Sequence, residues 1–212
     1  MATDLIEIDP EQPAPEVMQR AAKAVRAGQV LAIPTDALYT LVADPFNLQA
    51  VGRVFKAKGR EPQRSLPLLV NGALMAEDLA REISARFHVL TRHFWPGPLT
   101  IIVPASPGVP LKVTGNTGRL AMRQPKSALV TALLDTLDQP LIGTSANISG
   151  SPTARSGIEV FAVMDGRVDL VLDGGSCSGQ GATTVDITEP WWRVIREGAI
   201  NEKEIAEILK GH

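Results

Sequence analysis

Four groups of polar residues stand at the ends of apolar runs, where the strand-to-helix loops of α/β proteins build ligand sites. Pro34-Thr35-Asp36-Ala37-Leu38-Tyr39 follows the run that closes at Ile33. A basic stretch, Lys56, Lys58, Arg60 and Arg64, precedes the apolar residues 66–70. Arg123 lies at the end of a short alternating run, and Thr144-Ser145-Ala146-Asn147-Ile148-Ser149-Gly150 is followed by Thr153 and Arg155. Such cations bind oxyanions, arginine through a planar fork and lysine as a point charge. Each group also has an ordinary structural use: Thr35 or Ser145 as a helix cap, the Lys/Arg run as a solvated helix end, Arg123 as a surface ion pair.

Other chemistries lack their residues. Neither G-x-x-x-x-G-K-[ST] nor G-x-G-x-x-G occurs, so a P-loop or a standard dinucleotide fold is not expected. His88 and His93 are five apart rather than four, His212 is the last residue, and no carboxylate cluster marks a metal cage, so no metal ligands are assigned. Ser145 has no G-x-S-x-G around it, which argues against serine hydrolysis. Cys177, in the loop 174–179, has no nearby cation to activate it and reads as an incidental thiol.

The elements that must carry these loops alternate in kind. Helical spacing covers 15–27, ending at Gly28, with a strand at 30–33; a helix over 48–56 takes Asn47 as N-cap. Strands are expected at 66–70, 99–103 and 119–123, and near 168–172, 183–187 and 192–195. Helices are expected at 75–94 (as one or two, stopped by Trp95-Pro96-Gly97-Pro98), at 128–137, near 157–164 and at 201–209. Trp95 should be structural, and Trp191 and Trp192 should pack at a strand start. The order predicts an α/β fold, a single domain over 1–212 whose sheet is largely covered by helices.

Composition agrees. The 212 residues carry 21 Lys+Arg against 23 Asp+Glu, a formal charge of −2, with 44% apolar and 21% charged residues. These values exclude disordered and fibrous classes and argue against a dominating nucleic-acid surface. A single cysteine excludes a disulfide framework and points to a reducing compartment, the cytoplasm. No apolar run of about 18 residues exists and 1–9 carries acids, so neither a membrane span nor a signal peptide is expected.

With these residues in view, the chain resembles the YrdC-like family of threonylcarbamoyl-adenylate synthases, most clearly over 31–199. The family's P-T-[DE]-T-x-Y-G-L is similar to 34–41, K-x-R to Lys58-Gly59-Arg60, W-P-G-P-L-T to 95–100, and V-A-V-R-x-P to 120–125. Its S-x-N matches Ser145-Ala146-Asn147, and its S-T-[VI]-[VI]-D and [IL]-[LI]-R-x-G resemble 182–186 and 194–198. Ala37 and Thr40 replace a threonine and a glycine of the first motif, 64–66 reads Arg-Ser-Leu where K-P-L is usual, Ser127 stands for a histidine and Ala182 for a serine.

The resemblance implies a twisted mixed sheet flanked by helices around a positively charged cavity. It also implies that L-threonine, bicarbonate or CO2, and ATP with Mg2+ become threonylcarbamoyl-AMP and pyrophosphate, for a transferase machinery that modifies tRNA. Lys58 and Arg60 would be catalytic and hold ATP phosphates; Thr35, Arg123 and Gly143 would hold threonine. Ser145, Asn147, Thr153, Arg155 and Arg196 would contact the nucleotide. Without a long C-terminal extension, closure of the cavity is expected from these residues or from a partner. Two other readings stand beside this one: a non-catalytic module binding tRNA or double-stranded RNA by its phosphates, and a paralogue carbamoylating another substrate.

Overall fold

The apolar runs and amphipathic segments become short strands and helices in a computed structural model, which describes residues 2–61, 63–177 and 180–211. Met1, Pro62 and His212, with Ser178 and Gly179 of the Cys177 loop, lie outside the described residues. The strands are β1 (Asp4–Glu7), β2 (Leu31–Ile33), β3 (Thr40–Val42), β4 (Leu68–Leu69), β5 (Leu99–Pro104), β6 (Arg119–Arg123), β7 (Leu141–Ile142), β8 (Thr144–Ser145), β9 (Leu170–Asp173), β10 (Thr183–Asp186) and β11 (Arg193–Arg196). The helices are α1 (Pro15–Arg26), α2 (Leu48–Lys58), α3 (Ala73–Leu79), α4 (Ala85–Phe94), α5 (Leu111–Thr114), α6 (Ala128–Leu137), α7 (Gly157–Met164) and α8 (Glu202–Ile208).

These strands divide between two mixed sheets. One has the order β1-β9-β2-β3-β8 and the other β11-β10-β5-β6-β4-β7. The chain crosses between them within five residues: β7 pairs antiparallel with β4 in the second sheet, and β8, one residue later, pairs antiparallel with β3 in the first. Gly143 is the crossing point. A Cβ there would lie 2.4 Å from Cγ of Leu69, so only glycine lets the crossing segment lie against β4.

Helices close the faces. Met18, Ala21, Ala22 and Val25 of α1 share a core with Leu129, Leu133 and Leu137 of α6 and with Leu31, Ile33 and Leu170 of the first sheet. A larger core gathers Val51, Val54 and Phe55 of α2 with Leu66, Leu68, Phe87, Leu90, Trp95, Ile101 and Met122. Trp95 is buried, donates from Nε1 to the carbonyl of Leu99 at 2.7 Å and meets Phe87 edge-on, the structural use expected of it. Trp192 also packs against this core, but Trp191 is 64% exposed, contrary to expectation. The neighbouring β11 is an edge strand that is largely exposed, with Val194 alone of its residues packed against the core, so little interior is at hand for Trp191. No helix among the described residues is long and apolar enough to cross a membrane.

Candidate functional site

Loops from both sheets surround a cavity of about 200 Å³, lined by Ala37, Leu38, Thr40, Arg60, Pro67, Leu69, Thr100, Arg123, Gly143, Thr144, Ser145, Gly181, Ala182 and Arg196. Its walls are therefore strand ends and crossing points, where backbone geometry is rigid. Three arginines reach it from three segments, and among the described lining residues there is no carboxylate.

Arg60 gets there because α2 stops. Gly59 adopts a left-handed conformation at φ 56° as the C-cap, its N–H donating to the carbonyl of Lys56, and this turns the next residue out of the helix direction. The Arg60 guanidinium donates through Nη2 to the carbonyl of Ser65 at 2.8 Å and through Nη1 to Oγ1 of Thr144 at 3.3 Å. Its Nε is buried with no partner among the described residues. A buried unpaired donor on a cation is costly, so the Arg60 guanidinium is incompletely compensated by the protein groups around it.

Arg123, at the end of β6, is 7% exposed. Nε donates to the carbonyl of Gly97 at 2.9 Å, in the Trp-Pro-Gly-Pro turn, and Nη2 pairs with Asp36 of the 34–39 loop. Arg196 of β11 donates to the carbonyl of Ala182 at 2.9 Å. Burial draws the pKa of Arg123 down, with Asp36 opposing and nearby Arg196 adding to the fall. Burial and Arg64 do the same to Arg60. Cations that disfavour one another's charge make a field that an anion relieves, while guanidinium stays protonated at neutral pH.

The remaining expected residues divide. Ser145 and Gly143 line the cavity; Lys58, Asn147, Thr35, Thr153 and Arg155 do not. Lys58 is 2% exposed behind the 145–149 loop, where burial and then Arg60 push its pKa down to about 8. Thr35 closes a tight turn instead: Oγ1 donates to the carbonyl of Leu38 at 2.8 Å and accepts from the N–H groups of Ala37 and Leu38. The three-residue reach of a threonine hydroxyl explains why the loop holds its shape. Arg155 is exposed and Thr153 half-buried, both ahead of α7. Ser127 caps α6 by accepting from the N–H of Val130. Cys177 is half-buried with its thiol on the carbonyl of Thr35, and burial raises its pKa, as an incidental thiol would behave.

Thr40, Thr100 and Thr144 line the cavity and were given no role from sequence, nor was Asp36. Each falls within or beside one of the family motifs, but threonine is too common in strands to stand out by type alone. Among the described residues no three His, Cys, Asp or Glu side chains gather as a metal cage. The arginine-rich lining is likewise a poor donor set for Mg2+, which binds carboxylate and phosphate oxygens.

Because Gly143 both lines the cavity and touches Leu69, Gly143→Ala should drive a methyl into a buried side chain. We expect a loss of about 1–3 kcal/mol in stability by urea unfolding, partly restored by the further change Leu69→Ala.

A family model described as telomere recombination, for Sua5, YciO and YrdC proteins, matches residues 23–198. A Pyrococcus abyssi protein named threonylcarbamoyl-AMP synthase is 34% identical over 89% of this chain and 56% of its own length. The chain thus spans a little over half the length of the first curated relatives it matches. A Mycobacterium tuberculosis protein, named putative threonylcarbamoyl-AMP synthase, is 33% identical over 95% of this chain and 92% of its own. The crystal structure of Pyrococcus abyssi Sua5 complexed with L-threonine superposes with a TM-score of 0.93 at 33% identity, covering 98% of this chain and 61% of that one.

Proposed function

The chain belongs to the Sua5/YciO/YrdC family, and from that premise we propose that it condenses L-threonine, bicarbonate or CO2, and ATP into threonylcarbamoyl-AMP with release of pyrophosphate. The observation that carries this reading is the convergence of Arg60, Arg123 and Arg196 on one cavity whose described lining residues include no carboxylate, the Asp36 partner of Arg123 lying outside the lining.

The chemistry asks for such a field. An unprotonated threonine amine captures CO2 to form a carbamate, N–CO2−, which then attacks the α-phosphorus of ATP while the bond to pyrophosphate breaks. Both partners are anions. Their repulsion is roughly 1 kcal/mol per charge pair at 4 Å in water and larger in a drier site, so fixed cations, together with orientation, supply most of what the protein must provide. No covalent intermediate with the protein is needed.

A cavity of about 200 Å³ suits an amino acid better than a whole nucleotide. Arg123, deep at the end of β6, would take the threonine carboxylate beside Gly143. Thr40 of the first sheet and Thr100 of the second line the same cavity and would meet the substrate's polar groups. Arg60 and Arg196 would hold the carbamate and the phosphates, with the adenosine reaching outward past Ser145. Mg2+ would arrive on the nucleotide, given the absence of a carboxylate cage among the described residues.

The product is a mixed anhydride that water destroys, so a transferase acting on tRNA would have to follow, in the cytoplasm where ATP and tRNA meet. Mass spectrometry of a reaction containing ATP, bicarbonate and L-threonine tests the reading. Threonylcarbamoyl-AMP is expected, with pyrophosphate that fails to form when threonine or bicarbonate is omitted; pyrophosphate indifferent to threonine would overturn it.

A further inference from the structure

A buried lysine whose every donor is already used is unlike the other cations of this site. The Lys58 ammonium donates to the carbonyl of Ser145, to the carbonyl of Asn147 at 3.0 Å and to Oδ1 of Asn147 at 3.1 Å. Those three are the close acceptors, as many as an ammonium has N–H groups, and Oγ of Ser145 stands further off at 3.5 Å. The main chain adds a fourth tie, since the Lys58 carbonyl accepts from the N–H of Ser149 at 2.8 Å. The last turn of α2 therefore clips the 145–149 loop by side chain and backbone together.

The clip also sets the polarity of Ser145. Its Oγ donates to Oδ1 of Asn147 at 2.7 Å, and that oxygen is held in place by Lys58. Nδ2 of Asn147 is spent on the carbonyl of Ser151 at 2.6 Å. Asn147 thus has its amide oxygen fully occupied and one of its two amide N–H groups used, and it stands behind Ser145, whose hydroxyl proton is committed and which lines the cavity.

We infer that Lys58 is a positioning residue that holds the 145–149 loop and aims Ser145 at the cavity, rather than a ligand of the ATP phosphates. This deepens the proposed synthase activity and rests on it for its kinetic consequence. The ammonium is one element of a closed network, Lys58 to Asn147 to Ser145, and cutting the network at either end has the same result.

Two variants test it, Lys58→Met, which removes the charge, and Asn147→Ala, which keeps the charge and removes the acceptor. Amide hydrogen exchange on the ligand-free protein is expected to show protection at 145–149 falling by about tenfold or more in both. In threonine- and bicarbonate-dependent pyrophosphate release, kcat should drop by roughly 10²-fold in both through misplacement of Ser145, with KM for ATP within about threefold of wild type. Unchanged exchange at 145–149 in Lys58→Met, or a selective rise of ten-fold or more in its KM for ATP, would overturn the inference. If the wild-type protein releases no pyrophosphate, the proposed activity falls, and the exchange result still decides the brace. Should Lys58→Met not fold, Asn147→Ala carries both readouts.

Discussion

Arg60→Ala should lower threonine- and bicarbonate-dependent pyrophosphate release by on the order of 10²–10³-fold, the usual loss when one preorganised donor for developing negative charge is removed. The expectation rests on the unpaired Nε and on the cavity-facing fork. The fold should survive, because what alanine leaves behind is the carbonyl of Ser65 and the hydroxyl of Thr144 at a wet cavity edge. Arg60→Lys should recover only part of the rate, since a point charge replaces a planar fork. Circular dichroism and thermal melting establish the folded state, and initial rates of pyrophosphate release give the effect. A folded Arg60→Ala protein turning over at the wild-type rate would remove the electrostatic basis of the mechanism.

Arg123→Ala should act on one substrate more than the other. A charge-assisted bond to the threonine carboxylate is worth about 1.5–3 kcal/mol, so KM for threonine should rise roughly 10- to 150-fold, with KM for ATP changed far less. The substitution has a second consequence. Arg123 and Asp36 are 9% and 16% exposed in their side chains and pair with each other, so removing the arginine strands a half-buried carboxylate, at a cost of at most about 3 kcal/mol. The double variant Arg123→Ala/Asp36→Asn should regain stability without regaining threonine affinity. Urea unfolding follows the first quantity and substrate titrations the second. Equal rises in both KM values would show that Arg123 serves the nucleotide as well.

The Asp36 pair shows where reading along the chain stops. Arg123 and Asp36 are 87 residues apart, and nothing in the spacing of Pro34-Thr35-Asp36 says that the carboxylate meets that guanidinium. The two-sheet division is of the same kind. Strands of two or three residues, such as β3, β7 and β8, carry too few alternating positions to declare a partner, so residues 140–143 read as a short apolar run ending in a polar stretch at 144–147. β1 was invisible for another reason: it is mostly exposed, and it becomes a strand through parallel pairing with β9. Lys58 and Arg60 stand two apart in a basic run and look alike in sequence, but Gly59 sends one behind a loop and the other into a cavity.

What the sequence alone determined is what local physics writes locally: the long helices with their caps and glycine stops, the strands expected at 30–33 and 99–103, and the motif residues from which the family could be named. Tertiary structure alone decided which polar residues share a hollow, which face backbone carbonyls, and which charge already has a counter-ion. Side-chain surroundings in this fold are set by contacts between segments far apart along the chain, and such contacts leave no periodicity in any one of them.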